Sequence, residues 1–395
     1  MREKQIKKAV ALLLSLVLAS TMMLVGCGTP ASQSGPSGNG GATEAISKDN
    51  IKVGFVHISD PSDMGYTYNH DLGTQQMQKT LGLRDDQIIS KFNVPEGAAC
   101  DTALRELVEA GCNIIFATSF GFEDYMIEVA KEYPEIVFCH ATGYQAASAG
   151  LDNFHNYFAS IFEGRYLAGI AAGLQTETDH LGYVAAFPFA EVISGFTAFY
   201  LGAKSVNPNV TMDIMYTNSW NDPTVEAQVA QALIDRGADV ISQHSDSTAP
   251  ATTAEENGVW QVGYNNDMIP AAPKASLISP RIDWSVYLIE AVSAVLDGKT
   301  IPVDWCKGLA DGVVLLTPLN TAIAAPGTQD AIDAAEKKII SGELKVFAGP
   351  LTGVGVDFDG KEVSVDIPAG QHFPEQETAS APSWNFIIPG CTVID

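Results

Sequence analysis

Six times along this chain a short β-prone run passes directly into polar and aromatic residues. Val53-Gly-Phe-Val56 runs into His57-Ile-Ser-Asp60-Pro-Ser-Asp63, and Asn113-Ile-Ile-Phe116 into Ala117-Thr-Ser119-Phe120. Gly182-Tyr-Val184 runs into Ala-Ala-Phe187-Pro-Phe189, and Val210 to Met215 into Tyr216-Thr-Asn218-Ser-Trp220-Asn-Asp222-Pro223. Val240-Ile-Ser242 leads to Gln243-His-Ser-Asp246, and Val259-Trp-Gln-Val262 to Gly263-Tyr-Asn265-Asn-Asp267. Such runs read as strands, and helix-spaced apolar residues recur between them. Strands alternating with helices of about 10 to 15 residues imply βα units and a mostly parallel sheet covered on both faces. In an open parallel sheet the carboxyl ends of the strands face the crevice where ligands bind. The polar and aromatic junctions should therefore converge on one cleft.

The intervening helices follow from spacing. Leu72, Met77 and Leu81 predict one over 69–81; Leu104, Leu107 and Val108 predict another over 102–110, stopped by Gly111. A third is expected over 122–132, before a strand at 136–140. At Asp222-Pro223 the acid is suited to the N-cap and the proline to N1, so Asp222 holds the loop and Trp220 stands free to stack. Residues 154–173 read as one long helix rich in aromatic and small residues, with Glu163 and Arg165 ion-paired in its middle and the first crossing between lobes near its start. The alternation restarts from Leu181. A helix over 284–296, a strand at 312–317 assigned to the first lobe, and a helix over 329–341 complete the pattern. The segments expected are lobe 1 from 51–158 with 285–325, and lobe 2 from 159–284 with 326–395.

The first 26 residues stand apart. Arg2, Lys4, Lys7 and Lys8 precede an apolar run from Ala9 to Val25 that ends in Leu24-Val25-Gly26-Cys27. A charged start, an apolar centre and a small-residue end mark an export signal. The ending resembles the lipobox of bacterial lipoproteins, which implies cleavage before Cys27 and a lipid on that cysteine. Residues 27–50, rich in Gly, Ser and Pro, read as a flexible tether. Without residues 1–26 the chain carries 18 basic against 46 acidic side chains, a formal charge of −28. No basic stripe remains to displace counterions from a polyanion, so nucleic acid is not an expected partner.

Cys100, Cys112, Cys139, Cys306 and Cys391 form no CxxC pair and no zinc spacing, so no metal is expected. Cys112 and Cys139 lie on apolar runs and read as buried; one disulfide involving Cys306 or Cys391 stays open.

Asp63-Met-Gly-Tyr-Thr-Tyr-Asn-His, Phe162-Glu-Gly-Arg-Tyr-Leu-Ala-Gly, Gly182-Tyr-Val-Ala-Ala-Phe-Pro, Asn218-Ser-Trp-Asn-Asp-Pro, the run from Asp239 to Asp246, and Phe347-Ala-Gly-Pro together resemble the basic membrane protein (BMP) lipoproteins. These are substrate-binding proteins of ABC transporters, related to the purine nucleoside receptor of spirochaetes. The likeness runs from residue 51 to about residue 350. It implies an α/β, two-lobed periplasmic-binding-protein fold of type I, each lobe a mostly parallel sheet flanked by helices. It further implies capture of a purine nucleoside or a base such as adenine for import by an ABC permease, at the extracytoplasmic face of the cell membrane, by a monomer without cofactors.

Carried onto matching positions, the resemblance implies ligand contacts from Asp63, Tyr66, Asn69, Ser119 and Phe120 in the first lobe. The second lobe would contribute Trp220, Asp246, Asn265 and Asp267. Family members that bind nucleosides tend to have an acid where Asn265 stands, which shifts the expectation toward a free base. Trp284, near a crossing, either lines the site or packs the hinge. Asp246 is the leading polar anchor, with a helix cap near Ser247 as its alternative, and Asp63 could instead close a turn on Gly65. His57 and His140 read equally as neutral core histidines. Two other functions stay open: a surface signalling or adhesion lipoprotein, and a secreted nucleoside hydrolase using Asp222, Asp246 and Asp267, for which no nucleophile motif is present.

Overall fold

A computed structural model describes residues 45–356 and 360–394, so the export signal, Cys27 and most of the expected tether lie outside the described residues. The first strands and helices are Val53–Val56 (β1), Tyr66–Leu81 (α1), Ile88–Lys91 (β2), Ala98–Glu109 (α2), Ile114–Ala117 (β3), Glu123–Glu132 (α3), Val137–Ala141 (β4), Ala146–Ala149 (α4) and Phe154–Ala159 (β5). They are followed by Ile161–Gln175 (α5), His180–Ala185 (β6), Ala190–Val206 (α6), Thr211–Tyr216 (β7), Pro223–Asp235 (α7), Val240–Gln243 (β8), Ala249–Glu256 (α8) and Trp260–Val262 (β9). The remainder comprises Pro280–Ile282 (β10), Ser285–Asp297 (α9), Asp304–Lys307 (β11), Val314–Leu316 (β12), Thr328–Ile340 (α10), Leu351–Val356 (β13), Glu362–Ile367 (β14), Phe386–Ile387 (β15) and Cys391–Val393 (β16).

Two parallel sheets result, one for each lobe. The first has the order β11-β5-β4-β3-β1-β2 and the second β16-β7-β6-β8-β9. Every pair within them is parallel. Central strands such as β3 and β4 are buried along their whole length, as expected where helices cover both faces. This is the two-lobed α/β architecture expected from the strand and helix alternation.

Three segments differ from the sequence reading. The long helix expected over 154–173 is a strand, β5, followed by Ser160 and α5. Phe154, Tyr157 and Phe158 are fully buried where β5 runs between β4 and β11, a setting that favours aromatic side chains over helical periodicity. The 312–317 segment yields β12, but β12 pairs antiparallel with β10 instead of joining the first sheet. The strand that extends that sheet after α9 is β11, beside β5. Finally, Glu163 and Arg165 are not paired with each other. Glu163 accepts from the Leu309 amide at 2.8 Å, and Arg165 points into the second lobe.

The small residues of α5 serve close packing. An added Cβ at Gly169 would overlap the Phe199 carbonyl of α6, and one at Gly202 would overlap the Tyr166 carbonyl, so α5 and α6 touch backbone to backbone. The hinge region is aromatic: Tyr157 stacks on Tyr287 at 4.1 Å, and Trp284 lies edge-on to Tyr157 at 5.7 Å. Burying each such ring removes water from its apolar faces, an effect of roughly 1.5 to 3 kcal/mol per large side chain. Cys100, Cys112, Cys139, Cys306 and Cys391 are all free thiols, which closes the disulfide question for the described residues.

Candidate ligand-binding site

The site is assembled at the head of α1. Asp63 folds its carboxylate back onto that helix and accepts from the amides of Gly65, Thr67 and Tyr68 at 2.9, 2.9 and 3.0 Å. These amides are donors that the helix cannot satisfy itself. Asp63 is therefore the turn residue closing on Gly65, and Tyr66 is the side chain it presents. Tyr66 packs edge-on against His70 at 4.6 Å, and His70 stacks on Trp284 at 4.0 Å. Trp284 is thus one layer behind the wall, buried in the core.

The second lobe contributes two loops that are tied together. Asp222 caps α7, accepting from Thr224 and Val225 at 3.1 Å each, as its position before Pro223 indicates. Buried Glu226 accepts from the Asp222 amide at 3.0 Å with one oxygen, and from the Ser247 amide and hydroxyl at 3.1 and 2.6 Å with the other. The Asp246 amide donates to the Trp220 carbonyl at 3.0 Å. Trp220 and Asp246 are consequently set as a unit. Asp246 does not cap α8: its N-cap is Thr248, without a side-chain cap bond.

These elements enclose a cleft with an empty volume of about 330 Å3, bounded by Ile58, Tyr66, Thr118, Ser119, Phe120 and Thr142 from the first lobe. Glu191, Trp220, His244, Asp246 and Tyr264 bound it from the second. The lobes meet around it. Phe120 stacks on Phe189 at 5.0 Å, Phe189 lies against Trp220 at 6.1 Å, and Asn221 Nδ2 donates to Ser59 Oγ at 3.0 Å.

Polarity within the cleft is unusual. Tyr66 Oη, Thr142 Oγ1, Trp220 Nε1, both His244 ring nitrogens and Tyr264 Oη are buried without a hydrogen-bond partner in the protein. Each buried polar group left unpaired costs about 1 to 3 kcal/mol, so their gathering at one cavity marks it as a place where polar ligand atoms are met. Ser119, by contrast, is already committed through its hydroxyl to Glu96 at 2.6 Å.

Charge in the cleft is shaped by burial. Burial, reinforced by Asp63, Glu226 and Glu191, raises the proton affinity of Asp246 well above the usual carboxylate range, and the Tyr66 amide opposes it. Burial likewise pushes Glu191 up to about 7, with the Arg165 guanidinium pulling the other way. Arg165 Nη1 donates to the Gln243 carbonyl at 2.7 Å, while the guanidinium lies 3.5 Å over the Tyr264 ring. Burial keeps His244 neutral, and Arg165 adds to that effect.

Of the residues expected from sequence, Tyr66, Ser119, Phe120, Trp220 and Asp246 line the cleft. Asp63, Asn69, Asn265, Asp267 and Trp284 do not. Asn69 donates to the Ile282 carbonyl at 2.8 Å in the hinge, and Asp267 accepts from the Ile269 amide at 3.0 Å. Asn265 is buried with φ of 64°, and neither of its side-chain polar atoms has a partner. His57 and His140 are core residues bonded to Thr118 and to the Ser119 carbonyl. Sequence reasoning missed Ile58, Thr118, Thr142, Glu191, His244 and Tyr264. His244 and Tyr264 lie inside strand-end runs already marked as cleft-facing, and Glu191 stands two residues after Phe187-Pro-Phe189.

Residues 50–348 match the family described as ABC transporter substrate-binding protein PnrA-like (Bmp). A purine-binding protein of Brucella abortus (strain 2308) is 39% identical over 316 residues, covering 79% of this chain and 87% of the relative. A Haloferax volcanii protein named as a candidate ABC transporter glucose-binding protein is 34% identical over 310 residues, 78% of this chain and 76% of that one. Solved solute-binding proteins of ABC transporter systems from Conexibacter woesei and Aeropyrum pernix align with a TM-score of 0.62 at 19% identity. Each alignment spans 75% of this chain, and 98% and 92% of the respective structures, a likeness that speaks to fold alone.

Proposed function

Since the chain belongs to the Bmp family of PnrA-like substrate-binding proteins of ABC transporters, we propose that it captures a purine base or purine nucleoside outside the cytoplasm and delivers it to an ABC permease. The family is one of solute receptors without catalytic activity. In this reading the mature protein is a monomer held to the membrane by a lipid on Cys27. Lobe 1 comprises 51–158 with 285–325, apart from β12, which pairs with β10 of the other lobe, and lobe 2 comprises 159–284 with 326–395.

The observation that carries the proposal is the combination of Tyr66, Phe120 and Trp220 with unpartnered polar atoms at one closed cleft. A purine offers flat faces to aromatic rings and a rim of alternating donors and acceptors to the polar groups. The identity with a purine-binding protein supports the same class of ligand.

The test is to release and identify by mass spectrometry whatever small molecule copurifies. The refolded, stripped protein is then screened by thermal shift against adenine, hypoxanthine, adenosine, inosine and glucose. Stabilisation by purines is expected. A response to glucose alone, a response to none of them, or release of free base from a nucleoside would overturn the assignment.

A further inference from the structure

Resting on the purine reading, we propose that Glu191 is the specificity-determining residue of the cleft, and that it takes the amidine edge of a 6-aminopurine, a ring nitrogen beside an exocyclic amine. Glu191 sits in the first turn of α6, and its side chain is 10% exposed while lining the cavity. Among the described residues no hydrogen bond reaches its carboxylate; the nearest polar partner is His244 Nε2 at 3.6 Å. The other cleft acid, Asp246, is already engaged by the Tyr66 amide at the head of α1. Glu191 is the acid that remains for a ligand.

Every element packed around Glu191 presents a titratable or charged group. Arg165 comes from α5, His244 from the end of β8, Tyr264 from the end of β9, Asp246 from the loop before α8, and Tyr66 and Glu96 from the first lobe. The one cation, Arg165, is engaged with the Gln243 carbonyl and the Tyr264 ring, with no ion pair to Glu191. Desolvation therefore prevails and holds the proton on Glu191 to about pH 7. A neutral carboxylic acid has one donor and one acceptor side by side, the same pair that a glutamine amide offers adenine. Its O–H would donate to the ring nitrogen and its carbonyl would accept from the amine. An ionised carboxylate accepts only, and opposes the ring nitrogen's lone pair.

The sign follows directly. The binding form is the protonated one, present below about pH 7 and lost above it. For a group titrating at about 7, adenine affinity falls about 30-fold between about pH 6 and about pH 8.5.

The experiment is calorimetric titration of adenine into the full chain and its E191Q and E191A variants at those two pH values. Difference infrared spectra of adenine binding are recorded alongside. Wild type should show the 30-fold fall and a protonated-carboxyl band on binding. E191Q, which keeps a donor beside an acceptor, should bind adenine with affinity independent of pH and without that band. E191A should bind at least tenfold more weakly at pH 6. Adenine affinity flat with pH in wild type, or a pH slope retained in E191Q, overturns the proposal while leaving purine capture standing. Failure of wild type to bind any purine at either pH overturns both.

Discussion

Closure of the cleft turns on Gly65. A Cβ built there would overlap the Asp246 carbonyl oxygen and lie 2.7 Å from its carbon and 2.9 Å from Cα. All three are backbone atoms of the opposite lobe, so no rotamer change relieves the overlap. In Gly65→Ala the lobes must stay apart, which breaks the Asn221–Ser59 hydrogen bond and the Phe120–Phe189 stack. A hydrogen bond contributes about 1 kcal/mol and an aromatic pair about 0.5 to 1.5 kcal/mol. Loss of both weakens ligand binding by about 2 kcal/mol, or about 30-fold in Kd. Ligand contacts that one lobe can no longer reach would add to this. Within the first lobe nothing else is disturbed, because Asp63 bonds to the Gly65 amide and not to a side chain. The ligand-free melting temperature should therefore stay close to that of wild type, while the ligand-induced shift collapses. Calorimetry with the copurified ligand, and small-angle scattering with and without it, would measure both effects. Wild-type affinity together with ligand-dependent compaction in Gly65→Ala would refute the reasoning.

Three further outcomes follow from individual contacts. Trp220→Ala should weaken ligand binding by ~1 to 3 kcal/mol through lost stacking, with little change in ligand-free stability; unchanged affinity with a much lower melting temperature would place Trp220 in the core instead. Asp222→Ala removes the cap of α7 and should lower unfolding free energy by about 1 kcal/mol in urea titration, whereas Asp222→Asn, which still accepts from the Thr224 and Val225 amides, should restore most of it. Burial lowers His57 to about 3 and His155 to about 4, so both stay neutral in the fold and become charged in the unfolded chain. Their contribution is complete above about pH 6.5 and is lost as pH falls below it, by on the order of 1 kcal/mol per pH unit for each. His155→Asn, which can still donate to the Pro302 carbonyl, should lessen the fall in melting temperature between about pH 6 and pH 4.

The strand ends were legible because central strands of a covered parallel sheet tend to be continuous apolar runs, as in Ile114–Ala117. Edge strands were not. Ile88–Lys91 and Asp304–Lys307 flank the first sheet, are only half-buried in most positions, and carry Lys91, Asp304 and Lys307. Edges tolerate such charge, so the apolar signal disappears. β5 failed for a different reason: it is buried on both faces, and with His155 and Asn156 buried among its aromatics Phe154–Ala159 lacks the alternation of a half-buried strand. In the site, local rules found Trp220 and the Asp222 cap, which depend on neighbours in sequence. Glu191, His244 and Tyr264 belong to three different segments of the second lobe, the start of α6 and the ends of β8 and β9. Only the sheet order β6-β8-β9 brings them together, and no spacing along the chain encodes that. For Asp63 the sequence left both a ligand contact and a turn on Gly65 open, because a carboxylate just before a helix suits either. Three backbone amides decide between them.

In the proposed reading, Glu226 would couple recognition to closure. It lies outside the cleft wall, yet its two oxygens join the Asp222 loop to the Ser247 loop. The first of these loops carries Trp220 and Asn221, and the second carries His244 and Asp246. In the proposed reading, a flat ligand stacked on Trp220 would thereby be set at a fixed distance from the Asp246 carboxylate. Burial raises the proton affinity of Glu226, and the hydrogen bonds from Ser247 and Asp222 counter this by favouring the charged form. Those same bonds hold the two loops in register. In the proposed reading, a ligand that displaced Trp220 would displace Asp246 as well and keep the lobes from meeting at Gly65, so selectivity would be enforced at the lobe contact as well as at the ring edge.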